Sequence, residues 1–173
     1  MVLKLKNCEI RTLTEADASS LSRHANNRKI WINLRDAFPH PYSLADARSF
    51  IENCLARKPE TLFCIAGDGR AIGSIGFSIH TDVERFSAEI GYWLAEPFWG
   101  RGIMTNALKA VTKYALFTHD LQRIYALPYQ WNPASMRVLE KAGYKLEGRM
   151  RHSAFKDNQL IDQFLYAFTR NPN

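Results

Sequence analysis

The chain has 173 residues, of which 46% are hydrophobic and 23% are charged, and its net charge is +6. This length suits one domain, and the apolar fraction is enough for a core that needs no disulfide or metal staple. The composition excludes a disordered chain and a repeat array. No apolar run approaches the ~18 residues of a membrane-spanning helix, and the first six residues lack an apolar stretch. We therefore expect a soluble protein with no signal peptide.

The net positive charge of the chain favours an anionic ligand or partner. Its arginines and lysines are scattered along the chain, so we expect no direct contact with nucleic acid, although an RNA- or ribosome-binding module is the alternative. The three cysteines, Cys8, Cys54 and Cys64, lack metal-ligand spacing. Cys64 stands in an apolar segment and is expected in the core. A reducing, cytoplasmic location is the default expectation.

The first part of the chain predicts a strand and two helices. Residues 3–13 alternate like a strand, and Thr14 with an acid three positions later is typical of a helix start. Ser43 repeats this pattern and opens a helix through about Arg57, whereas residues 31–42 form a proline-broken loop. The positions predicted on the buried stripes are residues 18, 21 and 25 of the first helix and Ala47, Phe50, Ile51 and Leu55 of the second.

The rest of the chain predicts an antiparallel meander followed by alternating helices and strands. The predicted strands are residues 61–66, 71–79, 87–94, 121–127, 145–155 and 160–169, and the predicted helices are residues 103–118 and 132–142. An Asp-Gly turn joins the first two of these strands, and Gly143 ends the second helix. The resulting order, βααβββαβαββ, predicts an α/β fold of the α+β type, with a mixed, mostly antiparallel sheet and helices on its faces.

Gly100-Arg101-Gly102 precedes the helix predicted at residue 103. A glycine-rich turn at a helix N-terminus suits a phosphate, because free backbone N–H groups and the positive end of the helix dipole meet there. A simple tight turn is an equal alternative. A dinucleotide-binding fingerprint is rejected, because the third glycine is missing and Asp120 precedes the next strand instead of ending it.

Residues 132–144 read locally as an ordinary capped helix. Asn132 is the N-cap, Pro133 is the favoured first helical residue, and Ser135 lies in the first turn. Taken with Gly100-Arg101-Gly102, however, this segment resembles the GNAT superfamily, whose signature is Asn-x-x-Ser-x-x-x-x-Glu-Lys-x-Gly-aromatic. The likeness covers most of residues 61–170.

Residues 88–94, followed by Trp99-Gly100-Arg101-Gly102, resemble most the ribosomal-protein N-terminal acetyltransferase branch, the RimJ/RimL-like proteins. Two positions depart from the superfamily pattern, which usually has Gln or Arg in place of Trp99 and Gly or Ala in place of Met104. The resemblance implies a single GNAT-like domain over residues 1–173. Its parts would be acceptor-side helices at about 14–58, an acyl-CoA-binding core at about 61–143 and a C-terminal hairpin at about 144–170.

The resemblance also implies that acetyl-CoA is the co-substrate and that no metal takes part. Strand 89–94 would splay from strand 121–127 and admit the pantetheine arm, with backbone groups of Trp93 and Leu94 binding it. Asn132 would contact pantetheine, although a plain N-cap role is equally expected. The backbone N–H groups expected to bind the pyrophosphate are those of Arg101, Gly102, Ile103, Met104 and Thr105.

Two side chains are the candidates for catalysis. Glu89 is the candidate general base, acting through a water, and an ion-pair role is the equal alternative. Ser135 would stabilise the departing thiolate. The acceptor side is expected between the first two helices and in the last hairpin, and the candidate substrate-binding residues are Trp31, Arg35, Asp36, Phe38 and Asp162. Core packing is favoured for Trp31 and Phe38, and an arginine partner is the alternative for Asp162.

The sequence therefore predicts an acetyl-CoA-dependent N-acetyltransferase. Its acceptor would be a primary amine, either the N-terminal α-amine of a ribosomal or other protein or a small molecule such as a polyamine or aminoglycoside. A non-catalytic CoA-binding protein is the alternative from another functional class. The expected partners are acetyl-CoA and the amine, with no membrane, and the oligomeric state, a homodimer included, is open.

Overall fold

The computed structural model describes residues 2–170. The strands of this part are β1 Val2–Lys4, β2 Glu9–Arg11, β3 Leu62–Gly67, β4 Arg70–Ile79, β5 Ser87–Leu94, β6 Arg123–Ala126, β7 Lys145–Lys156 and β8 Gln159–Thr169. The α-helices are α1 Ala18–Ala25, α2 Arg28–Trp31, α3 Leu44–Ala56, α4 Ile103–Thr118 and α5 Pro133–Ala142. The strands form an eight-stranded sheet in the order β1-β2-β3-β4-β5-β6-β8-β7.

The chain divides into two compact units. The first unit comprises the chain up to Gly76 and then Tyr92–Ile103, and the second comprises Phe77–Gly91 and the chain from Met104 onward. Strands β4 and β5 each begin in one unit and end in the other. The division of the chain into an acceptor part, a cofactor part and a hairpin stays a prediction.

Antiparallel pairing joins the strands of the first unit. β1 pairs with β2, β2 with β3 and β3 with β4. The β3–β4 turn places Asp68 at φ 47° and Gly69 at φ 74°. These left-handed values are those that an Asp-Gly hairpin turn requires, so the predicted hairpin is confirmed.

Two helical segments of the first unit begin where the capping patterns predict. Thr14 caps a 3-10 helix, Glu15–Asp17, that leads directly into α1, and Ser43 caps α3. Thr14 and Ser43 each form a capping box with the aspartate three residues later. Both boxes satisfy backbone donors that the first turn leaves free, which explains why these two starts could be read from the sequence. The α1 and α3 stripes meet in one core that also holds Cys64 and Trp93.

Three details of the first unit differ from the prediction. Residues 3–13 are not one strand, because a turn closed by the Leu5 N–H and the Cys8 carbonyl at 2.9 Å separates β1 from β2. The short helix α2 was not predicted, although Asn27 caps it by accepting a hydrogen bond from the Lys29 N–H. On α3, Leu55 is 46% exposed and Cys54 is buried instead.

In the described part of the second unit, β5 pairs with β6 in parallel, and β6–β8 and β7–β8 are antiparallel. The β5–β6 register runs only from Ser87 opposite Arg123 to Glu89 opposite Tyr125. β5 continues to Leu94 beyond this register, and the splay of the pair stays a prediction. The mixed, mostly antiparallel sheet of the predicted fold class is thereby confirmed.

Both long helices of this region were predicted closely. α4 has the predicted bounds, and Ile103, Ala107, Val111 and Ala115 of its stripe are buried. Asn132 caps α5, and Gly143 ends it at φ 97°, a left-handed conformation that favours glycine. Within residues 2–170, none of these helices combines the length and the apolar character needed to cross a membrane.

Candidate active site

The loop before α4 carries two glycines in the left-handed region. Gly100 and Gly102 both have φ 73°, and a Cβ atom added at either position would meet no atom within 4 Å. The space beside the loop is therefore open, and it adjoins the first turn of a 16-residue helix. The first N–H groups of a helix have no intrahelical acceptor, so this loop has the geometry of an anion cradle.

The loop is held at both of its ends within the first unit. The indole Nε1 of Trp99 donates a hydrogen bond to the Leu94 carbonyl at 2.7 Å. The Asn7 side chain donates to the Arg101 carbonyl at 3.1 Å, and the Arg101 guanidinium lies over the Phe98 ring, 5.5 Å from its centroid. These contacts fix the backbone that would face an anion. From the sequence, Trp99 contributed to the branch resemblance and departed from the superfamily pattern, but its bond to Leu94 was not predicted.

Side chains and backbone of the predicted pyrophosphate segment have different environments. Ile103 and Met104 are buried, with relative exposures of 4% and 6%, and Thr105 is half-buried. The two buried side chains pack into the core. The Met104 side chain, which replaces the usual Gly or Ala of the family, therefore points into the core. Only the backbone N–H at this position is available to a ligand.

Close approach of two strands positions Trp93 in the first unit. A Cβ added to Gly73 would lie 2.3 Å from the Trp93 carbonyl oxygen. The Ala95 N–H donates to the Ile72 carbonyl at 2.8 Å one step further along. Because real Cβ atoms do not approach a backbone oxygen so closely, only glycine fits at position 73. Gly73 is a supporting residue that the sequence analysis missed, although a glycine inside a strand often marks such an approach.

Asn132 and Ser135 lie together at the start of α5 in the second unit. The Asn132 side-chain oxygen accepts a hydrogen bond from the Ser135 N–H at 3.1 Å. This is the N-cap interaction, so the structural role expected of Asn132 is present. The Ser135 side chain is half-buried in the first turn of the helix.

Glu89 lies half-buried near the beginning of β5, in register with Tyr125 of β6. Residues in register on neighbouring strands project to the same face of a sheet, so these two side chains share one face. The Tyr125 hydroxyl is 2.9 Å from Nε2 of His80, and the two rings stack at 8° with centroids 5.6 Å apart. His80 and Tyr125 are thus polar neighbours of the Glu89 strand that the sequence analysis did not single out.

The predicted acceptor residues of the first unit separate into packed and exposed groups. Phe38 packs edge-on against Trp93 and beside Tyr42, with ring centroids 5.9 and 4.8 Å apart. The ring centroids of Trp31 and His40 are 5.8 Å apart. The core packing favoured for Phe38 is confirmed.

The two polar acceptor candidates of this segment, Arg35 and Asp36, are exposed. Tyr42 is buried, and its burial raises the pKa of its hydroxyl to about 12. Tyr42 is therefore neutral at physiological pH and cannot serve as an ionised group in the acceptor region.

Asp162 is buried in the second unit and has an arginine partner. One carboxylate oxygen accepts from Arg149 Nε at 2.6 Å, and the other accepts from the His152 backbone N–H at 2.8 Å. The His152 N–H and then Arg149 hold the pKa of this carboxyl below its usual value. The alternative reading of Asp162, pairing with an arginine, is the one observed.

The described residues hold no group of three or more His, Cys, Asp or Glu side chains that could bind a metal ion. Cys64 is fully buried, and burial raises the pKa of its thiol to about 12. A thiol of this kind is protonated at physiological pH and is a poor nucleophile. Cys64 is therefore part of the core, as predicted.

A comparison with protein families decides the assignment. Residues 7–145, most of the chain, match the family described as "Acetyltransferase (GNAT) domain". The chain belongs to the GNAT acetyltransferase family. As a GNAT protein it is an acyltransferase, which confirms the enzyme class expected from Gly100-Arg101-Gly102 and residues 132–144.

Two relatives and one solved structure illustrate this kinship. The "Probable N-acetyltransferase YjcK" of Bacillus subtilis (strain 168) is 38% identical over 172 residues, covering 92% of this chain and 95% of the relative. The ribosomal-protein-serine acetyltransferase of Escherichia coli (strain K12) is 27% identical over 166 residues, covering 94% and 92%. RimL, a ribosomal L7/L12 alpha-N-protein acetyltransferase solved with coenzyme A, superposes with a TM-score of 0.85 at 22% identity over 98% of both chains. The RimL likeness confirms the GNAT-like fold.

Proposed function

We propose that this GNAT protein transfers the acetyl group of acetyl-CoA to a primary amine, and that the amine is the N-terminal α-amine of a ribosomal or other protein. The open loop at Gly100 and Gly102, at the start of α4, carries the cofactor part of this proposal. Kinship with a ribosomal-protein-serine acetyltransferase supports the acceptor part.

The chain offers a cradle that fits the cofactor's negative charges. Backbone N–H groups from Arg101 to Thr105 bind the pyrophosphate, and the left-handed glycines keep side chains away from it. The backbone of Trp93 binds the pantetheine arm. The Leu94 carbonyl also binds the arm, because it accepts one hydrogen bond from the Trp99 indole and has a second lone pair available. Asn132 adds a side-chain contact with its amide N–H₂, because its oxygen already caps α5.

The thioester supplies an activated acyl carbon and a thiolate leaving group. The amine must lose a proton before it can attack, and Glu89 accepts that proton through a water. A backbone N–H polarises the carbonyl and stabilises the developing oxyanion. The Ser135 hydroxyl donates a hydrogen bond to the thiolate as the carbon–sulfur bond breaks. Two protons leave the nitrogen in all: the first passes through Glu89 and its water to solvent, and the second, lost after the attack, ends on the thiolate and gives the free CoA thiol.

The acceptor-binding residues proposed are Trp31, Arg35, Asp36 and Phe38. Asp36 is exposed and attracts a cationic amine, whereas Arg35 binds a backbone carbonyl of the incoming peptide. Phe38 and Trp31 form apolar walls. Asp162 is occupied by Arg149, so its contribution is to hold the β7–β8 hairpin in place.

Thiol release from acetyl-CoA tests this function directly. The acceptors are peptides that begin with serine or alanine, spermidine and an aminoglycoside, and peptides of the same sequence with a blocked N-terminus are the matched control. We expect release with the free peptides and none above background with the blocked ones. CoA binding without release from any amine would instead indicate a non-catalytic CoA-binding protein, whereas release only with small amines would reassign the acceptor.

A further inference from the structure

The first unit contains a cavity of about 350 Å³ outside the site described above. It lies between the β3–β4 turn and the beginning of α1. The residues that decide its chemistry are Arg11, Asp17, Ser19, Arg23 and Arg70. The volume falls within the ~300–1,000 Å³ range of small-molecule sites. Neither the family assignment nor the proposed acetyl transfer gives this cavity a role.

An internal ion pair forms one wall of the cavity. Two guanidinium nitrogens of Arg11 contact the two carboxylate oxygens of Asp17, each at 2.7 Å. Thr14 adds its backbone N–H at 2.9 Å and its hydroxyl at 3.0 Å to the same carboxylate. The Asp17 side chain is only 4% exposed and the Arg11 side chain 17%. Four hydrogen bonds thus hold the Asp17 carboxylate, and the two charges of the pair cancel.

The other two arginines provide the net charge of the cavity. Among residues 2–170, the guanidinium groups of Arg23 and Arg70 form neither an ion pair nor a hydrogen bond with a side chain or the backbone. Asp17 is the one carboxylate among the described residues that line the cavity, since Glu15 and Asp68 do not. With Arg11 and Asp17 neutralising each other, Arg23 and Arg70 leave a charge of two positive units.

We infer that this cavity binds the phosphate group of a small phosphorylated molecule. A phosphate monoester carries close to two negative charges at neutral pH, which matches the two unpaired guanidinium groups. Guanidinium presents a planar fork of donors that fits phosphate oxygens. The exposed Ser19 hydroxyl adds a further donor beside them. The remaining volume accommodates the organic part of the ligand.

The inference is tested by titrating inorganic phosphate into the ¹⁵N-labelled protein while following its amide resonances by NMR. Saturating CoA is present throughout, so that phosphate cannot occupy the loop at Gly100 and Gly102. Chloride at matched ionic strength controls for general salt effects. We expect saturable, phosphate-specific shifts at the amides of Ser19, Ser20 and Gly69, which line the cavity.

Two variants and one control make the test specific. Arg23→Gln and Arg70→Gln each remove one charged donor. Each should weaken phosphate binding by at least roughly tenfold, because a charge-assisted hydrogen bond is lost. Arg48→Gln removes an exposed arginine of α3 outside the cavity and should leave the affinity unchanged.

The site is overturned if wild type shows no phosphate-specific shifts at these amides, or if either cavity variant binds phosphate as tightly as Arg48→Gln does. The result does not depend on acetyl transfer, because the titration follows binding in a protein that need not turn over. The folded state of each variant is checked in the same spectra. Failure of the proposed function and failure of this site are therefore distinguishable.

Discussion

The Trp99 indole donates a hydrogen bond of 2.7 Å to the backbone carbonyl of Leu94, and this contact connects the glycine loop to the end of β5. Trp99 stands where the GNAT pattern usually has Gln or Arg. The single N–H of the indole is bonded to the backbone, so it is not available to a ligand. In this chain the side chain at position 99 contributes by holding the loop in its conformation. The family's backbone contacts can be retained while the side chain at this position changes.

Trp99→Phe should weaken CoA binding by up to roughly tenfold, because it removes one net hydrogen bond of ~0.5–1.5 kcal/mol that orders the loop. The aromatic ring is largely kept, so the thermal midpoint of the free protein should change little. Calorimetric titration with CoA measures the effect. Unchanged affinity in a folded variant would show that the loop holds its conformation without the bond to Leu94.

Gly102→Ala should lower CoA affinity, because it adds a methyl group to the open side of the loop. Gly69→Ala is the matched control, since Gly69 has φ 74° against 73° for Gly102, and an added Cβ meets nothing within 4 Å at either position. Both variants therefore carry a similar backbone cost and should lose similar stability. Only Gly102→Ala should show a reduced increase in melting temperature with CoA. Equal increases in the two variants would remove Gly102 from the binding site.

Glu89→Gln should reduce turnover by roughly 10²–10⁴-fold, the usual contribution of a positioned general base, and leave CoA affinity nearly unchanged. The loss should become smaller as pH rises, since more of the acceptor amine is then neutral without help. Rates of thiol release across a pH series measure this dependence. Glu84→Gln, which changes an exposed carboxylate outside the strands, is the control.

An ion-pair role for Glu89 predicts a different outcome. Stability would fall while turnover per folded molecule stayed close to that of wild type. This result would assign Glu89 to structure and remove it from the mechanism. Asp162 would be a poor replacement, because both of its oxygens already accept hydrogen bonds.

Asp162→Asn should destabilise the fold most clearly near neutral pH. The pKa of Asp162 is lowered in the folded state, so its ionised form stabilises the protein above the unfolded carboxyl pKa of about 4. This contribution is lost as pH falls through the lowered folded-state pKa. Denaturation series at several pH values should therefore show a difference from wild type that is constant near neutrality and shrinks in acid. A difference independent of pH would show that the charge of Asp162 is not what stabilises the hairpin.

Arg149→Gln completes a double-mutant cycle with Asp162→Asn. The two side chains are in contact, so their effects on the free energy of unfolding should not add. Additive effects would mean that the His152 N–H, and not Arg149, provides the stabilising contact. Turnover per folded molecule should stay near that of wild type in both single variants.

Features of the fold that depend on local chemistry could be predicted from the sequence. The caps at Thr14, Ser43 and Asn132 and the left-handed Gly143 follow from backbone groups that one nearby side chain or one glycine satisfies. Helix α4 was bounded correctly for the same reason, because a glycine turn precedes an unbroken apolar stripe.

Contacts between distant parts of the chain could not be predicted in this way. Leu55 fits the α3 period as well as Cys54 does, and only the arrangement of the core leaves Leu55 exposed. The His80–Tyr125 pair joins residues 45 positions apart, and no local pattern connects them. A glycine within a strand, such as Gly73, indicates a close backbone approach. That the approaching residue is Trp93 becomes evident only from the strand order.

The most direct test of the central claim is to locate the acetyl group on a peptide that offers two amines. The peptide begins with serine, contains one lysine and is incubated with acetyl-CoA and the enzyme at neutral pH. An α-amine has a pKa near 8 and a lysine near 10.4, so roughly one-tenth of the α-amine but far less of the lysine is neutral there. Tandem mass spectrometry should find the acetyl group on the N-terminal serine, with the rate greatly reduced by Glu89→Gln. Acetylation of lysine alone, or of neither amine while CoA is bound, would contradict the proposed function.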